Sequence, residues 1–152
     1  MIRHVWSVLC SQSVTDQQTN NISLFNVIEQ IEATLAKSIP QGVLPPAPLP
    51  LELVSLWERV EADDQTVGTA VVDVLDASGK RIGGREMGID VTAHRRCRTR
   101  LILTGIPITG SGRYRVQVAQ RSDDEGQNLV AEIPLDVTLH APADPISEEV
   151  AS

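Results

Sequence analysis

Residues 93–118, AHRRCRTRLILTGIPITGSGRYRVQV, decide the fold class of this chain. Residues two apart on a β-strand share one face of the sheet, and both halves of the stretch alternate in this way. The positions suited to a core are Cys97, Thr99, Leu101, Leu103, Tyr114, Val116 and Val118. Gly105 and Pro107 stand between the two halves and indicate a turn. The stretch therefore predicts two β-strands, each with one buried face.

Strand signals of the same kind continue on both sides of this stretch. Strands are predicted at residues 2–11, 51–61 and 128–139, with a hairpin at 69–87 that turns at Asp76–Gly79. Short strands with regular turns and no βαβ alternation favour an antiparallel sandwich of about eight strands. The core is expected to consist of Val, Leu, Ile and Ala, with isolated large side chains at Trp6, Phe25, Trp57 and Tyr114.

The last predicted strand, residues 128–139, alternates over its whole length. Its inward positions are expected to be Leu129, Ala131, Ile133, Leu135, Val137 and Leu139. Pro134 falls on the outward face, where a missing backbone N–H indicates an edge strand or a bulge.

Three other segments are less regular. Residues 12–21 are polar and are expected to form a turn or loop, whereas residues 22–35 fit either a helix or a strand. Residues 38–50 contain five prolines and are expected to form an extended crossover on the surface. We therefore expect one domain over residues 1–139 and a disordered, acidic tail over 140–152.

The order Leu101-x-Leu103, a gap, then Gly112-x-Tyr114-x-Val116 resembles the E-to-F region of immunoglobulin-like domains. The resemblance implies an immunoglobulin-like sandwich in which the Tyr114 hydroxyl bonds back to the backbone at a sheet corner. Val116 stands where antibody domains carry their second cysteine, so no inter-sheet disulfide of that kind is implied.

Residues 5–31, VWSVLCSQSVTDQQTNNISLFNVIEQI, resemble the opening of a family of small, uncharacterised bacterial β-sandwich proteins. That resemblance implies a strand over residues 22–32 and a bacterial origin. It implies no activity and no functional residues.

Composition limits the compartment and the chemistry. No apolar run approaches the length of a membrane span, and the N-terminus is a poor secretory signal, so a cytoplasmic location is expected. In a reducing compartment, Cys10 and Cys97 are expected to be buried free thiols rather than a disulfide. The loops at 61–65 and 122–128 carry carboxylates without a calcium-loop spacing, so solvated turns are favoured over a metal site. No catalytic motif is present, and neither catalytic residues nor a cofactor are predicted.

The charge of the chain is segregated. Ten of its 13 lysines and arginines lie in residues 80–121, which carry +8, whereas residues 1–79 carry −7 and residues 122–152 carry −8. On the predicted strand, alternate positions place His94, Arg96, Arg98 and Arg100 in one outward row. The row is expected to be a solvent face paired with Glu52, Glu58 and Glu61, or else a binding site for an anionic partner.

The sequence thus predicts a non-catalytic protein-interaction or assembly module of unknown process, which presents a sheet face or an edge strand to a protein partner or to itself. The alternative is an anion or nucleic-acid binder that uses the basic strand 94–100. The acidic net charge of −7 and the lack of interleaved aromatic residues disfavour nucleic acid.

Overall fold

A computed structural model describes residues 1–35, 43–61, 65–122 and 126–141, and these form nine β-strands with no helix. The strands are β1 (Ile2–Thr15), β2 (Ile22–Val27), β3 (Gln30–Thr34), β4 (Leu51–Arg59), β5 (Val67–Leu75), β6 (Arg81–Asp90), β7 (Arg96–Leu103), β8 (Gly112–Ser122) and β9 (Gly126–His140). The all-β class expected from the alternating sequence pattern is confirmed, with nine strands instead of about eight.

The strands form two sheets that enclose one core. The four-stranded sheet has the order β2-β1-β4-β7, and the five-stranded sheet, which is curled, has the order β3-β9-β8-β5-β6. Neighbouring strands are antiparallel except β3 and β9, which are parallel. The exception arises at Ile28, which donates its N–H to the Leu9 carbonyl before the chain crosses to the other sheet. The fully antiparallel arrangement predicted from the sequence is wrong at this pair.

Residues 22–35, which fitted both a helix and a strand, contain strands β2 and β3. The preceding loop is shorter than predicted because β1 continues to Thr15 and pairs with β2 as far as Ile22. Asp16 closes the resulting β1–β2 hairpin by accepting the N–H groups of Gln18 and Thr19 at 2.8 and 2.9 Å. An aspartate that binds the backbone two and three residues ahead is a common way to stabilise a turn.

All four large aromatic side chains were expected in the core, but only two of them lie there. Trp57 and Tyr114 are fully buried between the sheets. Phe25 is 52% exposed because it lies on β2, at the edge of the four-stranded sheet. Trp6 is half-buried on the outer surface, since the register shift between His4 and Trp6 pairs it with Leu56, on the face of β4 away from the core.

Strand β9 keeps the predicted alternation only in part. Leu135 and Val137 are buried, but Leu129 is 57% exposed. The pairing shifts between Val118 and Ala119, so that Ala119 lies opposite Leu129 and Val130 is the extra residue of a bulge. The bulge turns Leu129 to the outside, which corrects its predicted inward position.

Pro134 lies opposite Arg115 of β8, and β3 begins to pair with β9 at Asp136. At Pro134 the other side of β9 is therefore a free edge, where a missing N–H costs no ladder hydrogen bond. The free edge that Pro134 indicated is therefore limited to the part of β9 that precedes Asp136.

Residues 43–50 of the proline-rich crossover form no strand and lead into β4. They are fixed to the loop after β7 by two hydrogen bonds, from Ala47 N–H to the Ile106 carbonyl and from Ile108 N–H to the Pro45 carbonyl. Residues 38–42 of the predicted crossover and 142–152 of the predicted tail lie outside the described residues.

The Tyr114 hydroxyl ties the corner between β7 and β8. It donates to the Gly110 carbonyl at 2.7 Å and accepts the N–H groups of Thr109 and Gly110 at 2.9 and 3.1 Å. The Thr109 hydroxyl also reaches it at 2.8 Å and links the corner to the Asp76 carboxylate at 3.3 Å. The bond from tyrosine to backbone that the sequence resemblance implied is present.

Replacing Tyr114 by phenylalanine keeps the buried ring but leaves these backbone groups without their partner. We expect the free energy of unfolding to fall by about 1–3 kcal/mol, the usual cost of buried polar groups left unpaired. Urea denaturation of Tyr114→Phe measures the change. The exposed neighbour Arg113 provides the control, because Arg113→Gln should change stability by less than about 0.5 kcal/mol. Equal losses in the two variants would contradict a specific role for the hydroxyl.

Candidate functional site

The predicted cationic row lies on β7, at one edge of the four-stranded sheet. Thr99, Leu101 and Leu103 of this strand are buried. The residues between them point outward, and Arg96 and Arg100 are exposed. His94 precedes the first residue of β7, so three of the four members of the row share the strand.

Two arginines of the row meet carboxylates of the neighbouring strand β4, as the sequence predicted. Arg100 binds Glu52 in a bidentate manner, from Nε to Oε1 at 2.5 Å and from Nη2 to Oε2 at 3.2 Å. Arg96 Nε lies 3.8 Å from Glu58 Oε2, and Glu58 also forms an ion pair with Arg3 of β1. The third predicted partner, Glu61, is exposed and lies beyond the end of β4.

Arg98 holds the tip of the β1–β2 hairpin. Its Nη2 donates to the backbone carbonyl of Asn20 at 2.7 Å and to the Asn20 side-chain oxygen at 3.1 Å. Asn20 has a φ of 59°, in the left-handed region that asparagine tolerates better than most residues. Because β1 and β2 are on the far side of β4 from β7, these bonds show that the hairpin tip folds back across the sheet.

A cleft of about 960 Å³ lies between the folded hairpin and the outward face of the four-stranded sheet. Trp6, Val54 and Leu56 supply its apolar lining from β1 and β4. The remaining lining comes from the hairpin and from β7: Ser13, Thr15, Thr19, Asn20, Asn21, Ile22, Arg96, Cys97, Arg98 and Arg100. We call this cleft, together with Arg3, Glu52 and Glu58, the arginine face.

Glu52 is the electrostatic centre of the arginine face. It is 3% exposed and accepts hydrogen bonds from Arg100 and from the Ser13 hydroxyl of the hairpin. Burial raises the pKa of Glu52, but the hydrogen bonds from Arg100 and Ser13 and the Arg100 charge outweigh it, so its pKa lies below the ordinary glutamate value. The carboxylate therefore joins the hairpin and β7 through β4.

The two cysteines are free thiols, with Cys10 buried and Cys97 half-buried rather than buried as expected. Burial, and then the neighbouring charge of Glu52, raises the pKa of the Cys10 thiol. A thiol with a raised pKa is a poor nucleophile at neutral pH.

The basic middle of the chain, residues 80–121, is partly neutralised by carboxylates of the acidic segments on either side and by its own Glu86. Besides the pairs on the arginine face, ion pairs join Arg81 to Asp73, Arg113 to Asp136, Arg115 to Glu132 and Arg121 to Glu86. On the arginine face the balance is incomplete. Arg3, Arg96, Arg98 and Arg100 face two carboxylates, which leaves an excess of two positive charges.

The inner face of the same sheet has a polar layer that the sequence did not reveal. His4 Nε2 lies 2.7 Å from the Ser7 hydroxyl, which lies 2.6 Å from the Ser55 hydroxyl. Beside them the Trp57 N–H donates to the Thr99 hydroxyl at 2.9 Å. Burial lowers the pKa of His4, and a hydrogen bond to the Trp6 backbone opposes it. These contacts satisfy polar groups between the sheets.

Among the described residues, no group of three or more His, Cys, Asp or Glu side chains is placed to hold a metal ion. In the two acidic loops considered above for calcium, Asp63, Asp64, Asp123, Asp124 and Glu125 lie outside the described part of the chain.

The cleft beneath the hairpin was not predicted, although one signal for it was present. Strand β4 carries apolar residues on both faces, namely Leu51, Leu53, Val54, Leu56 and Trp57. An antiparallel strand with one solvated face should alternate instead, so this pattern indicates that both faces of β4 are covered. The sequence does not indicate which element covers the outer face, because the tip of the β1–β2 hairpin is polar.

Comparison with models of known protein families and with curated protein sequences gives no match for this chain. Within the described residues, no helix has the length and hydropathy needed to span a membrane.

The low pKa of Glu52 makes a testable contribution to stability. A carboxylate whose pKa is lowered by folding stabilises the native state at neutral pH, and the contribution is lost as pH falls through its folded-state pKa. Wild-type stability should therefore decrease more steeply below the ordinary glutamate value of 4.5 than that of Glu52→Gln. Urea denaturation as a function of pH measures both slopes.

Glu86 provides the matched control, since Arg121 binds it at 2.6 and 2.8 Å and lowers its pKa on an exposed surface. Because solvent screens exposed ion pairs, Glu86→Gln should flatten the pH dependence less than Glu52→Gln. The reverse order would show that Glu52 does not hold the hairpin to the sheet.

Proposed function

We propose that this chain is a non-catalytic protein-interaction module that binds an acidic segment of a partner protein on its arginine face. The observation that carries the proposal is the uncompensated positive charge there. Both hydrogen bonds of Arg98 go to neutral oxygens of Asn20, and the Arg96 side chain is 70% exposed, 3.8 Å from a carboxylate that Arg3 already binds.

The chemistry of the cleft supports an extended peptide as the ligand. Guanidinium groups bind carboxylates through paired hydrogen bonds that a lysine cannot form. Trp6 and Leu56, which are half-buried, lie beside these groups and offer apolar surface. A peptide that alternates acidic and apolar side chains can direct its carboxylates to Arg96 and Arg98 and its apolar groups to this surface.

A protein partner is favoured over nucleic acid for two reasons. The chain carries a net charge of −7, which opposes long-range attraction to a polyanion. The cleft lining holds one aromatic side chain, Trp6, whereas single-stranded nucleic acid is bound by successive aromatic stacking positions.

We infer that the domain belongs among immunoglobulin-like sandwiches and covers residues 1–139. The corner formed by Tyr114 and the backbone of Gly110 supports that relationship. The resemblance of residues 5–31 to small bacterial sandwich proteins supports a bacterial origin. Free thiols at Cys10 and Cys97 are compatible with a cytoplasmic, reducing compartment.

Binding of a labelled peptide of alternating glutamate and leucine, followed by fluorescence anisotropy, tests the proposal. The double variant R96Q/R98Q should bind at least about tenfold more weakly than wild type, because each charge-assisted hydrogen bond contributes about 1.5–3 kcal/mol. The single variant Arg96→Gln, which leaves the Arg98–Asn20 bonds intact, should show part of this loss. Added salt should weaken wild-type binding.

The matched control is R81Q/R113Q, which removes the same charge from exposed ion pairs of the five-stranded sheet. It should leave peptide binding unchanged. An equal loss in both double variants would mean that only overall charge matters. Tighter binding of a labelled single-stranded oligonucleotide than of the peptide would favour the nucleic-acid alternative.

A further inference from the structure

The outer part of the β1–β2 hairpin, residues 11–26, has no backbone pairing with the rest of the four-stranded sheet. Strand β1 pairs with β4 from Ile2 to Cys10, and beyond Cys10 it pairs with β2 alone. The pairing of β1 with β2 omits Ser11 and Asn26, and Asn26 has a φ of 52°. The extended backbone is therefore interrupted at the base of this two-stranded ribbon. We call residues 11–26 the flap.

The flap is held over the sheet by few contacts. None of its residues is buried, and the cleft of about 960 Å³ lies beneath it. Within the described residues, two groups of hydrogen bonds join the flap to the rest of the molecule. One runs from the Ser13 hydroxyl to Glu52, and the other from Arg98 to Asn20. A two-stranded ribbon is marginally stable alone, and elements with few buried contacts open at low free energy.

The bonds between Arg98 and Asn20 can be replaced by a stronger pair. Arg98 is half-buried and donates to two neutral oxygens of Asn20, at 2.7 and 3.1 Å. A carboxylate accepts hydrogen bonds from a guanidinium more strongly than a neutral oxygen does. Asn20 is exposed, so water can satisfy its oxygens when Arg98 turns to another acceptor.

The other contacts of the flap also allow it to open. Glu52 keeps its two bonds to Arg100 when Ser13 moves away. Val54 lines the cleft but is 0% exposed in this arrangement. Opening of the flap gives access to Val54, so that apolar side chains of a ligand can cover it in place of the flap.

We propose that the flap is a lid on the arginine face, and that an acidic ligand opens it by replacing Asn20 on Arg98. This inference rests on the proposed function, since the ligand is the acidic segment argued there. With the lid closed, Asn20 occupies one of the guanidinium groups that the ligand uses. The apparent affinity for the ligand is therefore reduced in proportion to the fraction of molecules whose lid is open.

Two substitutions of Asn20 change the closed state in opposite directions, and both residues tolerate its φ of 59°. Asn20→Asp offers Arg98 a carboxylate from the chain itself. It should bind the alternating glutamate–leucine peptide at least about fivefold more weakly than wild type, because charge-assisted hydrogen bonds are roughly twice as strong as neutral ones. Asn20→Gly removes the side-chain acceptor and should bind the peptide more tightly. Fluorescence anisotropy measures the three affinities.

Gln18→Glu is the matched control for the charge added in Asn20→Asp. Gln18 is exposed on the same hairpin tip but does not line the cleft. Its substitution should leave the peptide affinity close to that of wild type, because an exposed charge with no partner is screened by solvent.

Hydrogen–deuterium exchange of residues 11–26, followed by mass spectrometry, reports the position of the lid directly. Without peptide, exchange should be faster in Asn20→Gly than in wild type and slower in Asn20→Asp. Saturating peptide should accelerate exchange of the flap in wild type, whereas a ligand bound beneath a fixed flap would slow it. Residues 116–118 of β8, which are in the five-stranded sheet, should exchange alike in all variants.

The outcomes distinguish the lid from the proposed function. Peptide binding to wild type with unchanged or slower exchange of the flap would overturn the lid and leave the binding of an acidic partner standing. An equal loss of affinity in Asn20→Asp and Gln18→Glu would also overturn the lid. A peptide that binds neither wild type nor Asn20→Gly would contradict both proposals, and one that binds Asn20→Gly alone would support both.

Discussion

Burial of β4 on both faces is the constraint on which the rest of the structure depends. From Leu51 to Glu58 every residue is buried except Leu56, which is half-buried. The five-stranded sheet covers the inner face, where Leu53 and Trp57 are fully buried. The outer face needs a second cover, and the folded β1–β2 hairpin supplies it. Burying the outer side chains Val54 and Leu56 contributes roughly 1.5–3 kcal/mol each when burial is complete.

Covering the outer face of β4 also buries a charged group, which then needs polar partners. Glu52 is taken out of water beneath the hairpin, and a buried carboxylate needs charge and hydrogen bonds to remain ionised. Arg100 and Ser13 supply them. Arg98 in turn fixes the hairpin tip. The arginine face is thus part of the packing arrangement, and the charge that remains after these contacts is what a partner can use.

Much of the fold follows from alternation and turn chemistry. The pattern of residues 96–103 and 112–118 was sufficient to predict two strands and their inward faces, and Asp76 with Gly79 was sufficient for the β5–β6 turn, where Gly79 has a φ of 87°. Local patterns could not predict the parallel pairing of β3 with β9 or the bulge at Val130. Both depend on contacts between segments far apart in sequence, which periodicity within one segment does not contain.

The candidate site likewise has one part that the sequence could predict and one part that it could not. The arginine row and its pairing with Glu52 and Glu58 could be predicted, because both come from alternation on strands that a sandwich order brings together. The cleft could not, since it depends on the hairpin bending back until Asn20 reaches Arg98. That bend also explains why Phe25 and Val27 are exposed. The hairpin uses β1 and its tip to cover β4, and β2 remains at the outer edge of the sheet. The hairpin therefore has charged contacts beneath its tip and an uncharged edge strand along its side.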